Sequence, residues 1–170
     1  MTEKKEMTDG HFSNEKPVGQ STFKVVLGGH ETTDQIVKHL KANGFRRVHE
    51  AITQKNFPIK PHEIKDVQIE IVDPGRPFTA EEGTVFLKSM GLLPPTEEHA
   101  LRFAEQRGRM VATSNEKCLV FLHRHWEDND GRRRMLFIHN IMDDNRRFGL
   151  IFADNGFGND CLLAGVRPGK

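Results

Sequence analysis

The sequence predicts an α+β fold in which an N-terminal strand and helix half packs on a C-terminal four-stranded antiparallel meander. Hydrophobic periods typical of helices and of strands alternate between residues 21 and 110. Four short apolar runs separated by turn residues follow between residues 117 and 168. Residues 1–20 are polar and are predicted to form a disordered tail, which leaves residues 21–170 as a single domain.

The first elements are a strand and a helix. Phe23–Leu27 is apolar and β-branched and ends at two glycines, as is typical of a strand. A helix should follow, because Thr32 or Thr33 can cap its start and Gly44 lies where its end is expected. The segment from residue 45 to residue 57 is compatible with either a short helix or irregular structure.

A second strand and two more helices come next. Val67–Val72 alternates with a period of two, which predicts a half-buried strand. Thr79 and Glu82 form a capping box, and Thr96 can cap another helix. The residues predicted to face inward on the two helices are Val85, Phe86, Met90, Leu101 and either Phe103 or Ala104.

The C-terminal pattern consists of the runs CLVFLHRH, RMLFIHNI, FGLIFAD and CLLAGVR. Turn residues separate the runs, and AspAsnAspGly at residues 128–131 is a strong hairpin signal between two of them. The third run places apolar residues on both of its sides, so both sheet faces should be at least partly covered. The helices of the first half are the expected cover.

Composition narrows the functional classes. Twenty-five Lys+Arg against 24 Asp+Glu give a formal charge of +1, so binding to nucleic acid or to a membrane would require a local patch. The two cysteines, Cys118 and Cys161, lie in apolar runs and not in a CxxC motif, which favours a reducing cytoplasm. Apolar runs are much shorter than the roughly 20 residues that span a bilayer. We therefore expect a soluble cytoplasmic protein without a membrane partner.

Histidines and carboxylates of one hairpin are candidate metal ligands. His123 and His125 would point to the same side of a strand, and His139 on the next strand could complete a divalent-metal site. Asp128 or Asp130 would then act as a base. The alternative is that the carboxylates form the turn and the histidines are ordinary polar side chains, because strand register decides which residues meet.

Arginines near the predicted loop ends are candidate phosphate ligands, since guanidinium groups can bind two phosphate oxygens at once. Acidic residues lie beside them and would partly neutralise such a patch, so a solvated rim of mixed charge is the alternative. The candidates are Arg132, Arg133, Arg134, Arg146 and Arg147, together with Arg46 and Arg47.

Other familiar sites are weakly indicated or missing. Gly28 and Gly29 could expose backbone N–H groups to an anion, but neither GxGxxG nor GxxxxGK[ST] is present. GxSxG, HExxH and paired CxxC motifs are missing as well. The sequence therefore identifies no cofactor.

The order of motifs from about residue 23 to residue 168 resembles that of a group of small uncharacterised bacterial proteins. The matching segments are VQIEIV, FTAEEGTVFLKSMGLLPPTEEHALRF, DNDGRRRMLFIHN and GVRP. Where members of the group often have a cysteine and an acidic residue after LGL, this chain has Pro94 and Pro95, which argues against thiol chemistry there. The resemblance implies a shared fold and assigns no functional residue.

Missing catalytic motifs and polar loops favour a non-enzymatic binding or protein-interaction domain, with a protein partner or self-association. One alternative is a metal-dependent hydrolase that uses the histidine and aspartate cluster. A second alternative is nucleic-acid binding through the arginine-rich loops.

Overall fold

The described part of the chain forms a mixed, mostly antiparallel eight-stranded sheet and three helices, which confirms the α+β class. The computed structural model describes residues 21–111, 117–124, 126–140 and 145–169, so the predicted tail at residues 1–20 lies outside it. The strands are β1 (Ser21–Gly29), β2 (Phe45–Val48), β3 (His62–Val72), β4 (Cys118–Val120), β5 (Trp126–Glu127), β6 (Arg133–Asn140), β7 (Arg146–Phe152) and β8 (Cys161–Val166). The helices are α1 (Thr33–Ala42), α2 (Ala80–Ser89) and α3 (Glu97–Val111).

The sheet topology corrects the predicted C-terminal meander. The strand order is β1-β3-β8-β4-β6-β7-β2, and β5 pairs with β6 outside this path. Strands β4, β6 and β7 are antiparallel neighbours as predicted, but β8 lies between β3 and β4 and runs parallel to β4. Leu163 and Ala164 are successive residues of β8 and are both fully buried. A strand that buries both faces fits the interior of a sheet better than its edge.

The ambiguous segment after Gly44 begins with strand β2, which pairs in parallel with β7 at the edge of the sheet. Phe45 is buried and its ring contacts Phe148 edge-on, whereas Arg46 and Arg47 are exposed. This pairing joins residues about a hundred positions apart, so local periodicity does not reveal it.

The predicted helix ends are confirmed at several positions. Thr32 caps α1 and Thr79 caps α2, and each forms a capping box with the residue three positions later. Gly44 follows α1 with a φ of 101°, which a residue with a Cβ adopts only under strain. The inward position predicted for Val85 is wrong, because the residue is 62% exposed. Phe86 is buried as predicted, and Leu87 is buried beside it.

The helices cover the two sheet faces unequally. Helices α1 and α3 bury one face, where Ile36 and Leu101 join a large apolar core. Helix α2 covers part of the other face, where Leu87 packs on β8. Gly165 permits this close contact, since a Cβ there would lie 2.9 Å from Leu87 and 2.8 Å from Leu92. The part of the second face formed by β7 and β2 remains open to the groove described below.

Side chains of α3 occupy backbone groups on the outer edge of β1. Gln106 accepts a hydrogen bond from the Val26 N–H and donates one to the Val26 carbonyl. Glu98 accepts from the Gly28 N–H, and Arg102 donates to the Gly28 carbonyl. Four helical residues rise about 6 Å and two strand residues about 6.8 Å, so side chains four apart on α3 match alternate residues of β1.

We expect Gln106→Ala to expose the β1 edge. The loss of two hydrogen bonds at a solvent-accessible position should lower the free energy of unfolding by about 1 kcal/mol, and the freed edge should promote concentration-dependent self-association. Urea unfolding and size-exclusion chromatography over a concentration series would measure both effects. Lys38→Ala, at an exposed position of α1, is the matched control. A Gln106→Ala protein as stable and as monodisperse as this control would contradict the expected role.

Helix α3 begins with a cap formed by a histidine. The Thr96 N–H donates to Nδ1 of His99 at 2.9 Å, and Thr96 Oγ1 lies 2.8 Å from the same nitrogen. Because Nδ1 accepts the backbone bond, it carries no proton. Burial lowers the pKa of His99 to about 4.

We expect His99 to make the protein acid-sensitive. Its folded pKa of about 4 lies below the ordinary 6.5, so its contribution is complete above pH 6.5 and is lost as the pH falls toward 4. The full loss is on the order of 3 kcal/mol. His99→Gln keeps an acceptor for the Thr96 N–H and should flatten the fall in stability, measured by urea unfolding between these pH values. His30→Gln, at an exposed position, is the control; an equal pH dependence in wild type and His99→Gln would refute the assignment.

Candidate anion-binding site

The acidic residues of the predicted metal site form the turn between β5 and β6. Oδ1 of Asp128 accepts hydrogen bonds from the backbone N–H groups of Asp130 and Arg132, both at 2.9 Å. Its Oδ2 accepts from Nε of Arg134 at 2.7 Å. Backbone donation from Arg132 is the main cause that lowers the pKa of Asp128. Asp130 is exposed.

His123 is buried and supplies a hydrogen-bond acceptor to β6 just beyond the end of β4 at Val120. Its Nε2 accepts a hydrogen bond from the Leu136 N–H at 2.9 Å, in the place of a strand carbonyl. Its Nδ1 donates to the Arg124 carbonyl and lies 3.5 Å from Oε1 of Glu97. This contact with His123 lowers the pKa of Glu97. A metal ion could bind His123 only by displacing one of these partners.

His139, the other candidate histidine that the structure describes, is not brought to His123. His139 faces Cys118 across β4 and Arg147 across β7, whereas His123 contacts Leu136, three positions earlier on β6. His125 lies outside the described residues. The metal site at His123, His125 and His139 with Asp128 or Asp130 therefore stays a prediction.

We expect His123→Ala to destabilise the fold. The substitution removes the acceptor of the buried Leu136 N–H and leaves a space beside Phe57, so the free energy of unfolding should fall by about 2–4 kcal/mol. Chemical denaturation followed by Trp126 fluorescence would measure the loss. Arg124→Ala, an exposed neighbour, is the control. A loss as small as that of the control would show that the imidazole does not support the sheet.

Among the described residues, the group of possible metal ligands that comes together is Glu31, His39 and Glu105. Arg102 lies against it, and its Nη1 donates to Glu31 at 2.6 Å and to Glu105 at 2.9 Å. The hydrogen bond to Glu105 raises the pKa of His39. Arg102 thus bridges both carboxylates, and the network joins α1 to α3.

The predicted phosphate-binding arginines separate into two groups. Arg133 pairs with Asp154, and Arg134 pairs with Asp128 while its guanidinium lies 4.4 Å from the Phe152 ring centroid. The Arg132 guanidinium lies 5.2 Å from the same centroid. The first group is therefore occupied by protein partners and aromatic contacts, as a solvated rim of mixed charge would be.

The second group is assembled by the parallel pairing of β2 with β7, in which Arg47 and Arg147 are direct partners. They line a groove of about 620 Å³ that also reaches the end of α1. We call it the basic groove, and its lining residues are Lys41, Arg46, Arg47, Val48, His49, Glu50, Phe137, Arg147, Gly149 and Leu150.

The charges of the basic groove are unbalanced. Lys41, Arg46, Arg47 and Arg147 form no ion pair with any carboxylate that the structure describes. Nε of Arg147 is buried and has no hydrogen-bond partner in the described part of the chain. Burial and then Arg134 lower the pKa of His49, which disfavours its charged form. The acidic lining residue is Glu50, so the groove favours anions.

Arg146 differs from its neighbour because it faces the buried side of the sheet. The residue is 9% exposed, and its Nη1 would lie 3.2 Å from a Cβ at Gly44, just beyond the C-terminus of α1. A cation at this helix end is favoured by the helix dipole. We therefore place Arg146 beneath the groove and not in its lining. The acidic residues 143 and 144 lie outside the described part of the chain.

The two cysteines are buried direct partners on the parallel strands β4 and β8. Hydrogen bonding to Cys161 and burial raise the pKa of Cys118, so its thiol stays protonated at neutral pH. In the described segments, no helix has the length and apolar character needed to cross a lipid bilayer.

Comparison of the chain with protein-family models, with curated proteins and with solved structures found no match. Sequence patterns suggested the four groove and loop arginines at positions 46, 47, 146 and 147 but missed Lys41, His49, Phe137 and Gly149. The missing signal was the long-range β2–β7 pairing, which brings these residues together.

Proposed function

We propose that this protein is a non-enzymatic binding domain for a phosphate-bearing ligand, which it holds in the basic groove. The observation that carries the proposal is the set of four cations in the groove without described carboxylate partners. Elsewhere in the described structure, arginines such as Arg102, Arg133 and Arg134 are paired with acids. Cations that lack an internal counter-charge are available to an external anion.

The chemistry of the lining supports binding more than turnover. Arginine stays protonated under all physiological conditions and presents a planar fork that matches two phosphate oxygens. The groove residue that could exchange a proton near pH 7 is His49, but its Nδ1 accepts the Ala51 N–H. The groove volume of about 620 Å³ lies within the range of small-molecule sites.

Inorganic tripolyphosphate is a suitable probe, because it offers only anionic oxygens to the groove. We expect wild-type protein to bind it in isothermal titration at low salt, with an affinity that decreases as salt is added. The double variant Arg47→Gln/Arg147→Gln should bind at least about tenfold more weakly, which corresponds to about 1.4 kcal/mol.

Lys60→Gln/Lys65→Gln is the matched control, since it removes the same charge from exposed positions outside the groove. It should retain most of the wild-type affinity. Absence of tripolyphosphate binding by the wild type, or an equal loss in both double variants, would overturn the proposal. Circular dichroism of each variant would verify that the fold is retained.

A further inference from the structure

The basic groove is lined by an aromatic side chain, Phe137, that lies against a glycine of the neighbouring strand. Phe137 on β6 is the direct partner of Gly149 on β7, and both line the groove. A Cβ on Gly149 would lie 2.9 Å from Cε1 of Phe137, so the phenyl ring occupies the space that the glycine leaves. The ring therefore lies against the neighbouring strand while remaining partly exposed in the groove.

A second ring extends this surface. His139 lies two residues along β6 on the same side as Phe137, and the two ring centroids are 6.3 Å apart with an interplanar angle of 38°. His139 is also the direct partner of Arg147 across β6 and β7. Aromatic surface and guanidinium charge are thus adjacent on one sheet face.

A phosphate group alone would need the cations of this surface but not its aromatic rings. Anionic oxygens can be held by Arg47 and Arg147 alone, and they gain nothing from a phenyl ring. An aromatic ring with neighbouring cations suits a ligand in which planar bases and phosphodiester groups alternate. The bases can stack on the aromatic ring, and the phosphates can bind the cations. In a duplex, the faces of the bases are covered by their own neighbours, so only unpaired bases can reach such a ring.

We infer that the basic groove takes single-stranded nucleic acid, with a base stacked on Phe137 and the adjoining phosphates bound by Arg47 and Arg147. The inference rests on the proposed function and adds the class of ligand. Lys41 and Arg46 also line the groove and offer further cations to neighbouring phosphates. Gly149 has a specific part in this site, because any side chain there would displace the Phe137 ring.

The test is fluorescence anisotropy with labelled oligothymidylate and oligouridylate of about twelve nucleotides, with a duplex of equal length as the comparison. Titrations at salt concentrations from about 50 to 200 mM give the number of phosphate contacts from the salt slope. The variants are Phe137→Leu, Arg47→Gln/Arg147→Gln and the control Phe152→Leu. Phe152 is a partly exposed ring of β7 outside the groove.

We expect the single strands to bind more tightly than the duplex. Phe137→Leu should weaken this binding at least about fivefold with an unchanged salt slope, because it removes stacking and leaves the phosphate contacts. The double arginine variant should weaken binding and also reduce the slope. Phe152→Leu should bind as the wild type does. Comparison of oligothymidylate with oligouridylate shows whether the groove prefers DNA or RNA.

Failure of the inference can be separated from failure of the proposed function. If tripolyphosphate binds through Arg47 and Arg147 but Phe137→Leu binds single strands as wild type does, or the duplex binds equally well, the nucleic-acid inference is overturned and the anion site stands. If Phe137→Leu also loses tripolyphosphate binding, the ring has a structural role and the inference is overturned. If neither tripolyphosphate nor single strands bind, both proposals fail.

Discussion

The position of α3 against the edge of β1 is the interaction on which the arrangement of the sheet depends. Glu98, Arg102 and Gln106 lie four residues apart on one helix stripe and satisfy backbone groups of Val26 and Gly28. Edge strands expose unpaired N–H and carbonyl groups that promote aggregation, so this contact protects one end of the sheet. It also fixes α3 across the core face, where α1 packs beside it. The coverage of the remaining sheet follows from this placement.

The three helices that the structure describes leave part of the second sheet face uncovered by a helix. Helix α2 covers the second face near β8, and the surface of β7 and β2 is left with arginines and a partly exposed ring. The opposite edge, β2, carries positive charge, because Arg46 and Arg47 are exposed on a strand of only four residues, and such charges protect an edge strand from pairing with another chain. The same charges that protect this edge are the ones available to a ligand. Protection of the edge and anion binding thus use the same side chains.

Local features of the fold were predictable from the sequence, and long-range pairings were not. The capping residues Thr32 and Thr79 are confirmed because a cap involves only its own helix turn. The position of β8 and the pairing of β2 with β7 depend on residues distant in sequence, which periodicity does not encode. His123 illustrates the same limit: its spacing from His125 is compatible with a metal site, but its burial and its bond to Leu136 are set by tertiary contacts. Of the groove, the arginines were predicted and Phe137 was not, since a phenylalanine in an apolar strand is ordinarily a core residue.

The central position of β8 has a consequence for how the chain can fold as it is synthesised. Strands β3 and β4 flank β8, so the two parts of the sheet are not joined by strand pairing until β8, which follows both in the chain, lies between them. Until then, Ile71 on β3 and Val120 on β4 lack the neighbours that β8 supplies. Contacts of such long sequence separation slow folding and prolong the exposure of unpaired strands. A ribosome-bound chain lacking β8 would therefore present two open sheet edges, which is the state in which a chaperone would be most needed.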